Sequence, residues 1–130
     1  MPRRRSTTFL AAAVRAHLQL RWLTIERTVW KVRQLKERLA GTVCALQSEN
    51  QLEGLLAEFD ALRPLFPRNY LCTFDSLALL HFLATHGILV DWVFGVRADP
   101  FCAHCWLQKE DTVLNDTVEH VSTFDPIMCV

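Results

Sequence analysis

The sequence lacks an apolar run long enough to cross a membrane, because no window holds the roughly 18 uninterrupted apolar residues that a spanning helix needs. Residues 1–14 imitate a secretory signal peptide, but Arg15 and His17 interrupt the apolar run and no cleavage site follows. A disulfide framework is also missing, since the five cysteines are odd in number and lack framework spacing. These absences favour a cytoplasmic protein in a reducing compartment.

The sequence also lacks internal repeats and low-complexity stretches, and its net charge is zero. At 130 residues and 51% hydrophobic content, it predicts one compact domain, or one catalytic domain behind a helical segment. The neutral average conceals a division, because residues 1–40 carry ten Lys/Arg against two Asp/Glu and residues 41–130 carry four against twelve. We expect the basic segment to fold against the acidic remainder or to dock an acidic partner.

Apolar residues at steps of three and four predict one long helix over residues 8–40, with a single stripe facing the core. The stripe consists of Leu10, Val14, Leu18, Trp22, Ile25, Val29, Val32, Leu35 and Leu39. Leu23 and Trp30 lie off this stripe. They either pack beneath a second helix or form a ridge that faces a partner.

A capping box over residues 48–51 predicts the start of a second helix, which ends before Pro64. Its apolar face consists of Leu52, Leu55, Leu56, Phe59 and Leu62. Residues 64–69 contain two prolines and form a stiff connector. We therefore place the boundary between a helical N-terminal segment, residues 1–63, and a catalytic core, residues 64–130, at this connector.

Strand signals dominate the last third of the chain. Val90, Trp92, Phe94 and Val96 alternate with other residues and predict a first strand. Residues 101–108 predict a second strand, residues 109–111 a hairpin turn and residues 112–116 a third strand. Helices followed by an antiparallel meander give the α+β class, with a helix packed on an antiparallel sheet.

Cys72, His104 and Asp116 are the candidate catalytic residues. Cys72 lies where a loop becomes an apolar helix, which runs to about His86 and is capped by Gly87. Free backbone N–H groups and the helix dipole lower a thiol pKa at such a position and can stabilise an oxyanion. His104 on the second strand can act as base, and Asp116 on the third can fix its tautomer. Papain-like and transglutaminase-like enzymes share this arrangement.

Each of these residues also has a structural alternative. Cys72 can be a small buried hydrophobe, His104 a merely hydrogen-bonded strand residue and Asp116 a turn residue. The rival site is the Cys-Ala-His-Cys motif over residues 102–105, whose spacing also fits zinc or a redox pair. The sequence has no second Cys-x-x-Cys, and alternation directs the motif's two cysteines to opposite strand faces. We therefore expect no metal and no cofactor.

A run of short motifs occupies the region from residue 68 to residue 130. It consists of Cys72 with Ser76-Leu77-Ala78-Leu79-Leu80, His86-Gly87-Ile88, Val93-Phe94-Gly95-Val96, Asp99-Pro100-Phe101, Ala103-His104-Cys105-Trp106, Leu114-Asn115-Asp116 and Phe124-Asp125-Pro126-Ile127. In this order and spacing, the run resembles the transglutaminase-like leader peptidase of lasso-peptide biosynthesis. The resemblance implies that Cys72 is the nucleophile, His104 the base and Asp116 the orienting acid. Thr73 and Asp75 depart from it, since the family often has leucine and arginine there.

Enzymes of that family remove the leader from a ribosomally made precursor peptide, so the resemblance implies a precursor peptide as the substrate. Residues 1–71 do not show the strand-rich winged-helix pattern of the family's leader-recognition domain. We therefore expect a standalone peptidase that works with a separate leader-recognition protein. The ATP-dependent lasso cyclase is a further candidate partner.

Two other functions remain open from the residues. A transglutaminase-like site can also transfer an acyl group to an amine, because substrate access separates transfer from hydrolysis. The chain can instead be a non-enzymatic interaction module with a basic amphipathic helix. Nucleic acid and membrane are disfavoured as its partners, since the positive charge mingles with an apolar stripe and the remaining residues are acidic.

Overall fold

The computed structural model describes residues 2–40, 49–69 and 71–130. The elements are α1 (Pro2–Trp22), α2 (Ile25–Ala40), α3 (Glu49–Leu62), a 3-10 helix (Arg63–Leu65), α4 (Cys72–Thr85), β1 (Asp91–Ala98), β2 (Phe101–Lys109), β3 (Thr112–Val113), α5 (Val118–Val121) and β4 (Asp125–Cys129). The strands form one antiparallel sheet in the order β3-β2-β1-β4. The predicted α+β class is confirmed. Across these residues, no helix is long and apolar enough to cross a membrane.

The single helix predicted over residues 8–40 is wrong, because α1 and α2 are separated at Leu23 and Thr24. The Thr24 hydroxyl accepts the Arg27 backbone N–H at 3.3 Å and so caps the start of α2. The continuous apolar periodicity conceals this start signal. The capping box predicted for α3 begins outside the described residues.

The predicted apolar stripe is wrong in α1 and largely correct in α2, where Ile25 is exposed and Leu39 is half-buried. Val29, Val32 and Leu35 of α2 are buried. In α1, the predicted core residues Leu10, Val14, Leu18 and Trp22 are exposed, and the buried residues are Phe9, Ala12, Ala13 and Ala16. These two faces share the same helical spacing, but the alanines allow α1 to approach α4 closely. Trp30 is exposed as well, so the interpretation that it packs beneath a second helix is wrong.

The helix α4 and the strand β2 agree with the sequence-based expectation. Gly87 has a φ of 80°, and its N–H bonds the Ala84 carbonyl at 3.0 Å, as predicted for a C-cap. The third strand is shorter than predicted, because β3 ends at Val113 and the chain then leaves the sheet. Leu107 N–H donates to the Asn115 side-chain oxygen at 2.8 Å and holds the departing segment against β2. Asp116 therefore lies after a strand and not on one.

A single cluster of buried side chains includes residues from α1 to β2. Within it, the Phe9 ring lies edge-on to Phe59 at 5.3 Å and to Phe82 at 6.4 Å between centroids, so α1 contacts both α3 and α4. The division of the chain near residue 63 stays a prediction, although buried side chains on both sides of it belong to this cluster.

Ion pairs join the basic N-terminal region to the acidic remainder. Arg5 lies 3.1 Å from Glu58 on α3, and Lys36 lies 3.0 Å from Asp91 on β1. The Lys36 ammonium also donates to the Val130 carbonyl at 2.9 Å. These contacts agree with the expectation that the basic segment folds against its own acidic domain.

Candidate active site

Cys72 is the first residue of α4, which confirms the predicted transition from loop to helix. Leu71 occupies the N-cap position in an extended conformation, and its side chain has no acceptor for the free N–H groups of the first turn. These N–H groups and the positive end of the helix dipole can stabilise a thiolate or an oxyanion. Ser76 donates its hydroxyl to the Cys72 carbonyl at 2.6 Å and accepts the Trp92 indole N–H at 2.9 Å. The helix start is thereby tied to β1.

The three candidate residues lie together in the structure. His104 Nε2 is 2.5 Å from Asp116 Oδ2, and both side chains are mostly shielded from solvent. Because Nε2 faces the carboxylate, Nδ1 is the ring nitrogen left for Cys72. The neighbouring His104 side chain contributes to lowering the pKa of the Cys72 thiol. A thiol, an imidazole and a carboxylate thus form a chain suited to acyl transfer.

Asp116 accepts hydrogen bonds from more than its expected partner. The Thr117 backbone N–H donates to Oδ1 at 2.7 Å, and His120 Nδ1 lies 3.0 Å from Oδ2. Burial raises the pKa of the Asp116 carboxyl, but the bonds from His104, His120 and Thr117 outweigh burial and the net pKa is lowered. The carboxylate therefore stays ionised between two imidazoles.

The surroundings of Cys72 favour its thiolate. The pKa of Cys72 is lowered to about 4, first by a hydrogen bond from the Cys105 side chain, with smaller contributions from the Cys105 backbone, His104 and Thr73. Partial burial opposes this shift and does not cancel it. The neighbouring Cys72 and burial both raise the pKa of the Cys105 thiol. One thiol of the pair ionises easily and the other keeps its proton.

Comparison with known protein families identifies the family to which the chain belongs. The profile of the Transglutaminase-like superfamily matches residues 8–129. The chain belongs to this superfamily. Its members are typically cysteine-based enzymes and include cysteine peptidases and acyltransferases. Comparison with curated proteins and with solved structures gave no match.

Aromatic side chains hold the imidazole of the transglutaminase-like site in position. The His104 ring stacks near Trp106 at 5.8 Å and lies 5.1 Å from Phe124, measured between centroids. Trp106 shares the His104 face of β2, because residues two apart on a strand point to the same side, and Phe124 precedes β4. The Arg97 guanidinium lies 5.0 Å from the centroid of the Phe124 ring and packs over that ring.

Arg63 is a site-supporting residue that the sequence analysis missed. Its side chain is buried, pairs with Asp75 on α4 and donates to the Arg68 and Asn69 carbonyls at 3.0 and 3.1 Å. These bonds hold the connector that leads to Cys72 against the first turn of α4. Asp75, which departs from the resembled family, therefore serves as the partner of a buried arginine. A buried arginine has no signal in apolar periodicity.

His120 was also left without a role in the sequence analysis. His120 lies four residues after Asp116, and the short helix α5, which follows the N-cap residue Thr117, brings the two side chains together. The sequence analysis did not predict this helix. His104, Asp116 and His120 each offer a ligand atom, and these atoms lie within 4.8 Å of one another. The set could hold a metal ion, but a metal there would take the His104 nitrogen and the Asp116 oxygen that form the triad.

The two cysteines of the Cys-Ala-His-Cys motif at residues 102–105 contact two different clusters of buried side chains. Cys105 belongs to the main buried cluster, and Cys102 packs against a second cluster that contains Trp106 and Phe124. The two thiols therefore point to opposite faces of β2, as alternation predicted. Cys44 lies outside the described residues.

A cavity of about 310 Å³ opens beside the triad. It is lined by Phe59, Asp60, Arg63, Asp75, Leu79, Leu114, Asn115 and Asp116. Asp116 is the triad member at its wall, so a molecule in this cavity would lie on the carboxylate side of the site.

Proposed function

We propose that the protein is a cysteine peptidase that removes the leader from a ribosomally made lasso precursor peptide. The observation that carries this proposal is the position of His104 between Cys72 at the start of α4 and Asp116. Membership of the transglutaminase-like superfamily supports cysteine-based chemistry. The resemblance of residues 68–130 to lasso leader peptidases supports the choice of substrate.

The proposed first half-reaction forms an acyl-enzyme. The Cys72 sulfur attacks the carbonyl carbon at the leader–core junction, and His104 holds the thiol proton. The backbone N–H of Cys72 is a candidate donor to the oxyanion, and one such donor contributes about 3 kcal/mol. His104 then protonates the leaving amine of the core peptide. Asp116 keeps the imidazole oriented and stabilises its charged form.

In the second half-reaction, His104 takes a proton from water, and the hydroxide attacks the Cys72 thioester. The thioester bond breaks, the leader carboxylate departs and the Cys72 thiolate is restored. The core peptide has already left with a free amine in the first half-reaction. We further propose that a separate leader-recognition protein presents the precursor and that the lasso cyclase acts on the released core.

We expect Cys72→Ala to abolish leader release, with a rate loss of at least about 10⁴-fold, because no other group replaces the nucleophile. The measurement is mass spectrometry of precursor peptide incubated with the leader-recognition protein and either the original or the substituted chain. Cys102→Ala is the matched control, since Cys102 lies on the other face of β2 from Cys105 and should retain cleavage. Full processing by a folded Cys72→Ala variant would contradict the proposal.

The same reaction can distinguish hydrolysis from acyl transfer, which other members of the superfamily perform. A labelled primary amine is added together with the precursor. Label on the leader's new carboxyl end would assign transfer instead of hydrolysis. If no thiol is alkylated selectively at neutral pH and no peptide is processed, the non-enzymatic interaction module becomes the better interpretation.

A further inference from the structure

Two thiols meet where the start of α4 packs on β2. Among the neighbours of Cys72, Cys105 on β2 contributes most to lowering the pKa of its thiol. Both sulfurs also lie 3.9 Å from the Thr73 hydroxyl oxygen, which gives them a common neighbour. Ser76 Oγ is 3.5 Å from the Cys105 sulfur and fixes that side chain from the helix. The two cysteines are 33 positions apart in the chain and are brought together only by the fold.

The two thiols differ in exposure and in ionisation. Cys72 is partly exposed at the helix start, while Cys105 is 2% exposed and belongs to the main core cluster. A dissolved oxidant therefore reaches Cys72 first. Thiolates react with peroxides and thiols react poorly, so the ionised Cys72 is also the more reactive member.

We propose that Cys72 and Cys105 are a redox pair, in which peroxide oxidation of Cys72 is captured by Cys105 as a reversible disulfide. The inactivating effect of this bond rests on the proposed function, in which Cys72 is the nucleophile. Formation of the bond itself does not require peptidase activity. The two sulfurs share the Thr73 hydroxyl as a neighbour at 3.9 Å each, so forming the bond requires them to approach each other to the roughly 2.05 Å of a disulfide.

The chemistry balances with hydrogen peroxide as the oxidant. The Cys72 thiolate attacks one peroxide oxygen, the O–O bond breaks, and hydroxide leaves to give Cys72 sulfenic acid. The Cys105 sulfur then attacks the Cys72 sulfur and breaks its S–O bond, and the departing hydroxide takes the Cys105 proton as water. Two electrons pass from the thiol pair to the peroxide. A small thiol reductant reverses the bond by exchange.

Capture by Cys105 would prevent further oxidation of the nucleophile. Without a neighbouring thiol, sulfenic acid proceeds to sulfinic acid, which ordinary thiols do not reduce. Cys105 therefore has two effects on Cys72. It favours the Cys72 thiolate, and its sulfur makes oxidation of that thiolate reversible.

The test treats the full reduced chain with hydrogen peroxide, alkylates the remaining thiols and maps the peptides by mass spectrometry. The expected product is a Cys72–Cys105 cross-link with a mass loss of about 2 Da, which dithiothreitol restores. In Cys105→Ser, a hydroxyl can still donate to Cys72 but has no sulfur, so we expect Cys72 sulfinic acid that dithiothreitol does not reverse. Cys105→Ala serves as the second variant, and Cys102→Ala is the control that should cross-link like the original chain.

Two results would overturn the redox pair: Cys72 sulfinic acid without a cross-link in the original chain, or a cross-link from Cys72 to Cys102 or Cys129. The proposed function fails separately. A chain that forms the Cys72–Cys105 bond but leaves precursor uncut would overturn the peptidase proposal alone. A chain that cleaves precursor but never forms the bond would overturn the redox pair alone.

Discussion

At the scale of single residues, Asp116 receives more hydrogen bonds than orientation of one histidine requires. His104, His120 and the Thr117 backbone N–H all donate to its carboxylate. The second imidazole is more exposed than the first, so its bond is the more easily replaced by water. We infer that the His104 bond governs catalysis and that the His120 bond adds a smaller positioning effect.

Substitution of Asp116 by Asn should slow precursor cleavage by about 10²- to 10⁴-fold, because an amide removes the charge and favours the wrong His104 tautomer. His120→Gln keeps the Asp116 carboxylate, and we expect its rate to fall less than about tenfold. Single-turnover cleavage rates compare the two variants, and the neutral-pH alkylation rate of Cys72 gives a readout independent of substrate. Equal losses in both variants would contradict this ranking.

At the scale of elements, β1 packs closely against the two aromatic side chains that flank the His104 imidazole. Gly95 on β1 pairs opposite His104 on β2. A Cβ at Gly95 would lie 3.0 Å from both the Phe124 Cβ and the Trp106 ring, the two side chains that flank His104. The absence of a side chain at Gly95 therefore lets both rings pack under the site.

Gly95→Ala should lower the free energy of unfolding by about 1–3 kcal/mol, because the added methyl group overpacks the Phe124 and Trp106 contact. Gly54→Ala on α3 is the matched control. A Cβ at Gly54 meets nothing within 4 Å, so alanine should stabilise the helix by about 0.5–1 kcal/mol. Urea unfolding midpoints measure both changes. A gain in stability from Gly95→Ala would show that the rings can move aside.

At the scale of the whole molecule, the N-terminal helix and the catalytic helix share a buried polar contact as well as apolar ones. His81 on α4 is 3% exposed, and its Nε2 lies 2.7 Å from the Gln19 side-chain oxygen on α1. Burial and, to a smaller extent, the nearby Arg15 charge together lower the His81 pKa to about 4. The neutral imidazole is therefore part of the packing between α1 and α4.

The lowered pKa of His81 makes the stability of the fold depend on pH. Well above pH 6.5, the usual pKa of histidine, His81 is neutral in both states and contributes no pH dependence. As pH falls from about 6.5 to about 4, the unfolded chain binds a proton at His81 that the folded chain does not. Stability should therefore fall across this window, by about 3 kcal/mol in total.

Chemical unfolding at pH 7.5 and at pH 5, in the original chain and in His81→Gln, measures this effect. Glutamine can still donate to Gln19 but does not titrate. We expect the variant to lose less stability than the original chain between the two pH values. An equal loss in both chains would assign the pH dependence to other groups, such as carboxylates.

Much of the fold and of the candidate site could be predicted from local patterns. The loop-to-helix transition predicted Cys72 at the start of α4, and period-two alternation correctly separated Cys102 from Cys105 on β2. Local spacing predicted the wrong buried face where two faces of the same helix had the same period. In α1 the leucine face and the alanine face both repeat helically, and only contact with α4 decides that Ala12 and Ala16 are buried.

By itself, the sequence determined the α+β class, the helix that carries Cys72 and the strand that carries His104, because apolar periodicity and end signals act over a few residues. The tertiary structure alone decided which distant groups meet. It brought Asp116 to His104 from beyond β3, and it packed the start of α4 on β2, where Cys72 and Cys105 share Thr73 as a neighbour. Such contacts depend on how elements pack, and packing is a property of the whole core and not of any single segment.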